Sequence, residues 1–453
     1  MDTMSALLSK AGDYAWGPPM LVLLAGTHLF LTIRLRGIQR FLGKGIRLSL
    51  ARTPEGAGDI SHFGALTTAL AATIGTGNII GVATAVAAGG PGALFWMWLT
   101  GVFGISTKYA EALLAVKYRV TTAAGEQAGG PMYVIERALS CKWLGMLFAA
   151  FTAVAAFGIG NTVQANAIAD MARKSFGVPP LASGAVLAVL TGMVILGGLR
   201  SIARVCQLLV PFMAALYLGG CCLLLALRWN TVPDTLALIL RSAFTGHAAV
   251  GGFLGVGIRE ALRYGIARGL FSNESGLGSA PIVAAAAQTH DPVRQALVSA
   301  TGTFWDTVVV CLMTGLVLIN SGHWIDGLSP TELSKAAFGE LPFAGPFLLN
   351  FGLFTFVFST ILGWCYYGEK AVEYVFGTRS IRIYRVIWVA APLAGAAAAS
   401  KLALVWALAD IANALMALPN LIALLLLSGV VAADTRRYLR NDPPPETPLP
   451  PND

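Results

Sequence analysis

Charged residues are scarce in this chain. Asp, Glu, Lys and Arg make up only 12% of its 453 residues, and hydrophobic residues make up 56%, whereas a soluble domain carries about 25% charged residues. The uncharged stretches repeatedly reach the roughly 20 residues that a helix needs to cross a hydrocarbon core. This excludes an ordinary soluble protein, and the long apolar runs exclude a barrel of short alternating strands. An all-α polytopic membrane protein is predicted.

Catalytic and nucleotide-binding motifs are also missing. The sequence contains no H-E-x-x-H, no G-x-S-x-G and no P-loop, and its five histidines are widely separated. The six cysteines form no C-x-x-C pair and are interpreted as reduced packing residues. An intramembrane enzyme is therefore disfavoured. We expect no cofactor, no nucleotide coupling and no nucleic-acid partner.

Eleven membrane spans are predicted from the apolar runs. No linker divides residues 1–440, so they are predicted to form one transmembrane domain, and the Pro-rich tail at 441–453 is predicted to be disordered. The predicted spans lie near 16–33, 61–88, 92–116, 143–172, 181–199, 206–227, 233–258, 293–320, 342–364, 382–400 and 402–431.

The basic residues indicate the orientation of these spans. With eleven spans, most loops rich in Lys and Arg fall on the same side as the C-terminus, which the positive-inside rule assigns to the cytoplasm. The N-terminus is then outside, in a plasma (inner) membrane location. The net charge of +8 is a topology signal, since these residues are dispersed over loops. The basic residues of this side are Arg34, Arg36, Arg40, Lys44, Arg47, Arg52, Lys117, Arg119, Arg200, Arg204, Arg379, Arg382, Arg436, Arg437 and Arg440.

A glycine-rich stretch interrupts the second span. The sequence TIGTGNIIG occupies residues 73–81, and its G-x-G-x-x-x-G spacing does not match a dinucleotide-binding loop. Gly77 and Gly81 also form a G-x-x-x-G pair, which in many membrane helices serves only close packing. Asn78 favours a break instead, because a buried amide needs a partner and freed backbone groups are tolerated only beside protein or a wet cavity.

A second break is predicted five helices later, in AFTGHAAVGGFLG at residues 243–255. Paired interrupted helices indicate a transporter built from repeats. Because five is odd, the two halves, 61–227 and 233–431, would be inverted relative to each other. The ends of half-helices suit a carboxylate at the N-terminal side and a bare cation at the C-terminal side.

Polar side chains in later spans are further candidates. Asn161, Gln164 and Asn166 lie in the fourth span, and Ser359, Thr360 and Trp364 in the ninth. The alternative for the two hydroxyl groups is a bond to the preceding turn of their own helix.

Four stretches resemble the alanine or glycine:cation symporter family, the bacterial and archaeal sodium:alanine symporters. They are GTGNIIGVATAVAAGGPGALFWMW (75–98), GGPMYVIERAL (129–139), GLFSNESGLGSAP (269–281) and FSTILGWCYYGEKA (358–371). The resemblance covers essentially the whole chain. It implies a leucine-transporter-like fold with a five-plus-five inverted repeat, broken second and seventh helices, and an extra N-terminal helix.

The resemblance also implies site residues. The carboxylate of the substrate would lie at Thr76, Gly77 and Asn78, and Gln164, Gly252, Phe253 and Trp364 would line the substrate cavity. Sodium would be held by the carbonyls of Ala71, Ile74 and Phe356 with the hydroxyls of Ser359 and Thr360.

The expected activity is sodium-driven uptake of a small neutral amino acid, alanine or glycine, by alternating access in a lipid membrane. A proton-coupled or uncoupled facilitator is the alternative, and the oligomeric state is left open. The segment at 271–279 has two interpretations: Glu274 closes an inner gate with Arg268, or it belongs to a capped turn.

Overall fold

A computed structural model describes residues 10–12, 14–51, 56–245, 257–398 and 402–440. Nearly all of them are helical, and the two strands that it contains, β1 (Val120–Thr121) and β2 (Gln127–Ala128), form one antiparallel hairpin. The first half of the chain contains α1 (Pro18–Arg34), α2 (Leu42–Ser49), α3 (His62–Thr73), α4 (Val82–Gly89), α5 (Gly92–Lys117), α6 (Pro131–Leu139), α7 (Lys142–Phe157), α8 (Val163–Phe176), α9 (Pro180–Ile195) and α10 (Gly198–Leu227).

The second half repeats much of this order. It contains α11 (Val232–Thr245), α12 (Ile258–Asn273), α13 (Pro281–Ala284), α14 (Pro292–Thr303), α15 (Leu312–Asn320), α16 (Pro330–Gly339), α17 (Ala344–Phe376), α18 (Ser380–Ala397), α19 (Leu402–Leu426) and α20 (Ser428–Leu439). Single π-turns join α3 to α4 (Gly77–Gly81), α7 to α8 (Gly158–Thr162) and α14 to α15 (Phe304–Cys311).

Length and apolarity identify membrane-crossing helices directly. Within the described residues, five helices are long and apolar enough to cross a membrane, and two bent pairs bring the number to as many as seven. One bent pair is α1 with the short helix ending at Ser49, at 67°, and the other is α3 with α4, at 55°. The number of eleven spans thus stays a prediction. The predicted class, a polytopic helical membrane protein, agrees with the structure.

Local sequence explains where several helices begin. The Ser61 hydroxyl accepts the N–H of Gly64 at 3.1 Å and caps α3, and Asp291 caps α14 by accepting the N–H of Val293 at 2.8 Å. Ser329 and Glu332 form a capping box at the start of α16. Such side chains satisfy backbone N–H groups that have no partner inside the helix.

The predicted seventh span at 233–258 is wrong in its described part. The structure describes 14 residues of α11, Val232–Thr245. In its first turn, the Thr235 hydroxyl donates to Asn320 Oδ1 at 2.8 Å. Its last turn packs against Gly92, and the Ala243 carbonyl accepts the indole N–H of Trp96. Since Leu94 and Gly315 are also in contact, Gly92 and Asn320 lie at one end of the molecule, and α11 lies across that end.

Candidate functional site

The second span is interrupted where the sequence indicates. α3 ends at Thr73, Ile74 is extended with ψ 94°, and the helix resumes only through the π-turn that begins at Gly77. Asn78 closes the unwound turn, because its Oδ1 accepts the N–H of Gly75 at 2.9 Å. The break is therefore held by a side chain that lies within it, as expected from the need of a buried amide for partners.

The other end of the Asn78 amide reaches a carboxyl group that the sequence analysis did not single out. Asn78 Nδ2 donates to Asp306 Oδ1 at 2.7 Å, and Asp306 Oδ2 accepts the hydroxyls of Ser272 at 2.9 Å and Thr307 at 2.7 Å. Asp306 is fully buried in the π-turn between α14 and α15. An ionisable residue at membrane depth marks a functional site by default. The position of Asp306 inside an apolar run was therefore the signal from which the sequence could have predicted its role.

A second interruption lies between α12 and α13, at residues 274–280. Glu274 has φ 53°, and Gly276 and Gly278 have φ 91° and 85°, values that favour glycine. The N–H groups of both glycines donate to Glu111 Oε1 at 3.0 Å. The segment 271–279 therefore forms the second break. The Gly-rich stretch at 246–252, where the sequence predicted it, lies in residues 246–256, outside the described part of the chain.

Glu274 does not pair with Arg268. Its Oε1 accepts the Trp364 indole N–H at 3.0 Å, and its Oε2 accepts the Ser279 hydroxyl at 2.5 Å. The inner-gate interpretation is therefore wrong. The glutamate instead joins the second interruption to the ninth predicted span through Trp364.

The two interruptions are direct neighbours. A Cβ on Gly77 would lie 3.5 Å from the Phe271 ring and 3.6 Å from the Ser272 Cα. Thr76, Gly77 and Phe271 line a cavity of about 230 Å³. Pockets for drug-sized ligands have roughly 300–1,000 Å³, so this cavity has the size for a smaller molecule.

The cavity of about 230 Å³ extends away from the interruptions. Besides Thr76 and Gly77, its lining includes Asp170, Arg268 and Thr331. Thr331 begins α16, which follows α15 in the chain. The cavity therefore leads from the centre of the molecule toward the end where α11 lies.

The predicted sodium ligands meet only in part. The Thr360 hydroxyl reaches the Ile74 carbonyl at 3.3 Å, whereas the Ser359 hydroxyl donates to Phe356 O of its own helix at 2.9 Å. Ala71 and Phe356 are fully buried on the same two helices. The structure thus joins Ile74 to Thr360 across two helices. For Ser359 it shows the hydrogen bond to the preceding turn of the same helix, which was the alternative interpretation of this hydroxyl.

Gln164 faces the first interruption. Its Nε2 donates to Ile159 O at 3.0 Å, and its Oε1, buried, has no partner among the described residues. A Cβ on Gly75 would lie 3.5 Å from that oxygen and 2.5 Å from Thr360 Oγ1. Gln164 and Thr360 therefore flank the unwound backbone at Gly75.

Trp364 is buried against Gly160 in the π-turn between α7 and α8. Asn161 and Asn166 donate to the α18 carbonyls of Trp388 and Gly395 at 3.0 and 3.2 Å, and Asn166 also lines the cavity of about 230 Å³. Gly252 and Phe253 lie outside the described residues.

Two further buried charged residues on α5 escaped the sequence analysis. Lys108 is 3% exposed and Glu111 2% exposed. Lys108 Nζ has no hydrogen-bond partner among the described residues, and it lines a small cavity with Thr73, Asn273 and Ser299. The cavity adjoins the ends of α3 and α12, so a charge at membrane depth lies beside both interrupted spans.

Arg119 ties the two interrupted spans together at the end of the molecule opposite α11. Its guanidinium donates to the carbonyls of Ala57 at 2.8 Å, Ala285 at 2.9 Å, Ala287 at 2.8 Å and Thr289 at 3.1 Å. A backbone bridge between Ile60 and Ala287 runs alongside. The start of α3 thus lies beside the chain that follows α13, and the two spans run in opposite directions.

These features define a class of protein. Two antiparallel interrupted helices that meet beside a central cavity are the arrangement of secondary transporters with discontinuous helices. The repeated order of broken span, helix, short helix and long span in the two halves agrees with this class.

The chain belongs to the sodium:alanine symporter family, whose family model matches residues 1–448. It is 50% identical over 449 residues to the sodium/alanine symporter AgcS of Methanococcus maripaludis, covering 97% of this chain and 98% of the relative. A transporter of Haemophilus influenzae is 49% identical over 447 residues, with 97% of both chains covered. The probable sodium/glutamine symporter GlnT of Bacillus subtilis is 36% identical over 440 residues, covering 96% of this chain and 90% of the relative.

Solved structures are similar in fold. The crystal structure of MhsT in complex with L-phenylalanine superimposes with a TM-score of 0.55 at 13% identity, covering 84% of this chain and 99% of that chain. At this identity the likeness concerns the fold alone. The predicted leucine-transporter-like, all-α membrane fold is confirmed, and the family is one of transporters.

Proposed function

We propose that this chain is a symporter that couples sodium entry to the uptake of alanine or glycine by alternating access. Family membership and the 50% identity to a sodium/alanine symporter support this substrate class. Relatives at 36% identity include a probable sodium/glutamine symporter, so the choice between substrates depends on this chain's own cavity. The cavity of about 230 Å³ beside Thr76 and Gly77 favours a small amino acid.

The sodium site of the proposal lies at the end of α3. The observation that supports it most is the meeting of the Ile74 carbonyl with the Thr360 hydroxyl at 3.3 Å. A helix C-terminus presents unpaired carbonyl oxygens and the negative end of the dipole. The proposed sodium ligands are the carbonyls of Ala71, Ile74 and Phe356 and the hydroxyls of Ser359 and Thr360.

The substrate site of the proposal lies on the other side of the break. The helix restarts after the non-helical residues Ile74 and Gly75, so the positive end of its dipole faces the break, and such an end suits a carboxylate. Thr76, Gly77 and Asn78 would hold the carboxylate, while Gln164 and Trp364 would lie beside it at the break.

The orientation and the repeat boundaries are also part of the proposal. The end that contains Arg119 would face the cytoplasm, with the N-terminus outside in a plasma (inner) membrane. The second repeat would begin with α12, near residue 258, because the span interrupted at 274–280 lies beside the span interrupted at 74–76 and runs in the opposite direction, as an inverted repeat requires. The first repeat would run from α3 to α10.

Uptake into proteoliposomes tests the proposal. Radiolabelled alanine should accumulate when an inward sodium gradient is applied, and an inside-negative potential should increase accumulation, because each sodium ion gains about 2.3 kcal/mol per 100 mV. A proton gradient applied without sodium should give no accumulation. Accumulation driven by protons alone, or equilibration that ignores both gradients, would contradict sodium symport.

A single substitution tests the sodium site. Thr360→Val keeps the shape of the side chain and removes the hydroxyl beside Ile74, so half-maximal uptake should require more sodium. Thr355→Val is the matched control, since the Thr355 hydroxyl donates to Phe351 and Gly352 of its own helix, each at 3.0 Å. Equal sodium dependence in both variants would remove Thr360 from the site.

A further inference from the structure

A cleft at the Arg119 end of the molecule is separate from the transport site. It lies between the end of α1 and α20, has a volume of about 690 Å³, and is here called the terminal cleft. Five arginines line it, together with apolar side chains and no Asp or Glu of the described residues. Its lining is Phe30, Ile33, Arg34, Leu35, Arg36, Arg40, Ala432, Thr435, Arg436, Leu439 and Arg440.

The backbone turn after α1 presents three of these arginines. Arg36 has φ 54° and Gly37 φ 69°, and the N–H of Gly37 donates to Thr32 O at 2.9 Å. Such left-handed residues end a helix and satisfy its last carbonyls. Arg36 is not a glycine, so the turn keeps an arginine in a conformation that L-residues rarely adopt, and Arg34 and Arg40 flank it.

The arginines of the terminal cleft are not neutralised by the protein. All five are exposed, and within the described residues none takes part in an ion pair. The nearest acidic residue in the sequence of α20, Asp434, is already engaged by Lys117 at 2.6 Å and Arg437 at 3.1 Å. Five positive charges without counter-charges at one cleft are complementary to an anion.

The cleft also has an apolar side. Ile33 is 69% exposed and Phe30 41% exposed, on the last turns of a helix that leads into the membrane. Guanidinium groups bind phosphate oxygens in pairs of parallel hydrogen bonds. A ligand that satisfies both parts has a phosphate group joined to a hydrocarbon chain.

We propose that the terminal cleft binds an anionic phospholipid, with its phosphate among the arginines and an acyl chain along Phe30 and Ile33. Basic pockets between helices on the cytoplasmic side of membrane proteins bind lipid headgroups in this manner. The lipid joins the N-terminal helix, which lies outside the repeats, to the C-terminal helix α20.

Lipid titration of the purified protein tests the proposal. Binding of phosphatidylglycerol and of phosphatidylcholine is measured by native mass spectrometry in neutral detergent. Phosphatidylglycerol should bind far more tightly, and Arg36→Gln/Arg436→Gln should weaken it about 30-fold, as expected for two basic residues near a membrane surface. The control Arg379→Gln/Arg382→Gln removes two exposed charges at the start of α18 and should change affinity less than threefold.

Three outcomes would overturn the proposal. Equal losses of lipid affinity in the cleft variant and the control variant would show that the arginines of the cleft act only as part of the general positive charge of this side. Competition by inorganic phosphate at the lipid's own concentration would indicate a site for a free anion. Phosphatidylglycerol affinity that rises when the chain is cut after Arg440 would indicate that the acidic tail at 441–453 occupies the cleft.

A second pair guards against loss of folding. Arg36→Lys/Arg436→Lys keeps both charges and removes the paired donors, so lipid affinity should fall between that of the unchanged protein and that of the glutamine variant. Binding of alanine to each variant reports that the protein is folded. Alanine binding that is intact while lipid affinity is unchanged in both the glutamine and the lysine variants of Arg36 and Arg436 would contradict the proposal.

Discussion

Exchanging Asn78 and Asp306 is the most informative perturbation of the site. In Asn78→Asp, the amide that donates at 2.7 Å is replaced by a carboxyl oxygen, so two acidic side chains face each other in a buried place and one of them must take up a proton. In Asp306→Asn, the new amide oxygen still accepts from Asn78, but its NH₂ group replaces the oxygen that accepts the hydroxyls of Ser272 and Thr307. The double variant, Asn78→Asp with Asp306→Asn, places an N–H between the two side chains again.

The magnitude follows from the contacts. A buried polar group that loses its hydrogen-bond partner costs about 1–3 kcal/mol, and each 1.4 kcal/mol is a factor of ten. Asn78 also closes the turn at Gly75, and Asp306 also accepts Ser272 and Thr307. In the exchanged pair each of these contacts keeps a partner, since an Asp at 78 accepts from Gly75 and an Asn at 306 accepts from a hydroxyl.

Equilibrium binding of alanine to the purified protein provides the measurement. Each single variant should raise the dissociation constant about 10- to 100-fold, because binding must first restore the turn that the pair holds. The dissociation constant of the double variant should lie within about threefold of that of the unchanged protein. If the two losses were additive, the double variant would instead bind alanine most weakly of all. A double variant that is no better than the weaker single variant would refute the role of this pair.

Three further predictions concern neighbouring residues. Gly75→Ala should abolish uptake, because its Cβ would lie 2.5 Å from Thr360 Oγ1, whereas Gly219→Ala, with nothing within 4 Å of the new atom, should leave uptake unchanged in the same assay. Gln164→Ala should open space beside Gly75 and let serine or glutamine compete with labelled alanine; an identical competition profile would remove Gln164 from the substrate site. Glu111→Gln keeps an oxygen that accepts the two N–H groups of the second interruption, so its transport rate should exceed that of Glu111→Ala at least tenfold, and equal rates would contradict the positioning role.

The first interruption was predictable because its signal is local. Gly75, Gly77 and Asn78 stand in a long apolar run, where freed backbone groups and an amide have no other purpose than a break or close packing. The structure adds what no local pattern contains, namely that the amide reaches Asp306, 228 residues away in the sequence.

The second interruption was misplaced for a physical reason. α12 contains Arg259, Glu260, Arg263 and Arg268, so a helix that packs along α5 has the composition of a solvent-exposed loop. The stretch at 246–252 has glycines in an apolar context and imitates the first break. A buried charge such as Glu111 weakens the hydropathy signal in the same way, since its hydrogen-bond partners Gly276, Gly278 and Asn420 are distant in the sequence and lie outside any sequence window.

The Arg119 contacts constrain how the transporter opens. The guanidinium joins a carbonyl before the first interrupted span, that of Ala57, to one after the second, that of Ala287. The bridge between Ile60 and Ala287 adds a backbone link at the same place. The two interrupted spans therefore cannot separate at this end without breaking several hydrogen bonds at once. Access from this side that keeps these hydrogen bonds requires displacement of both spans as one body relative to the helices around them, and the proposed ion and substrate sites would then change exposure together.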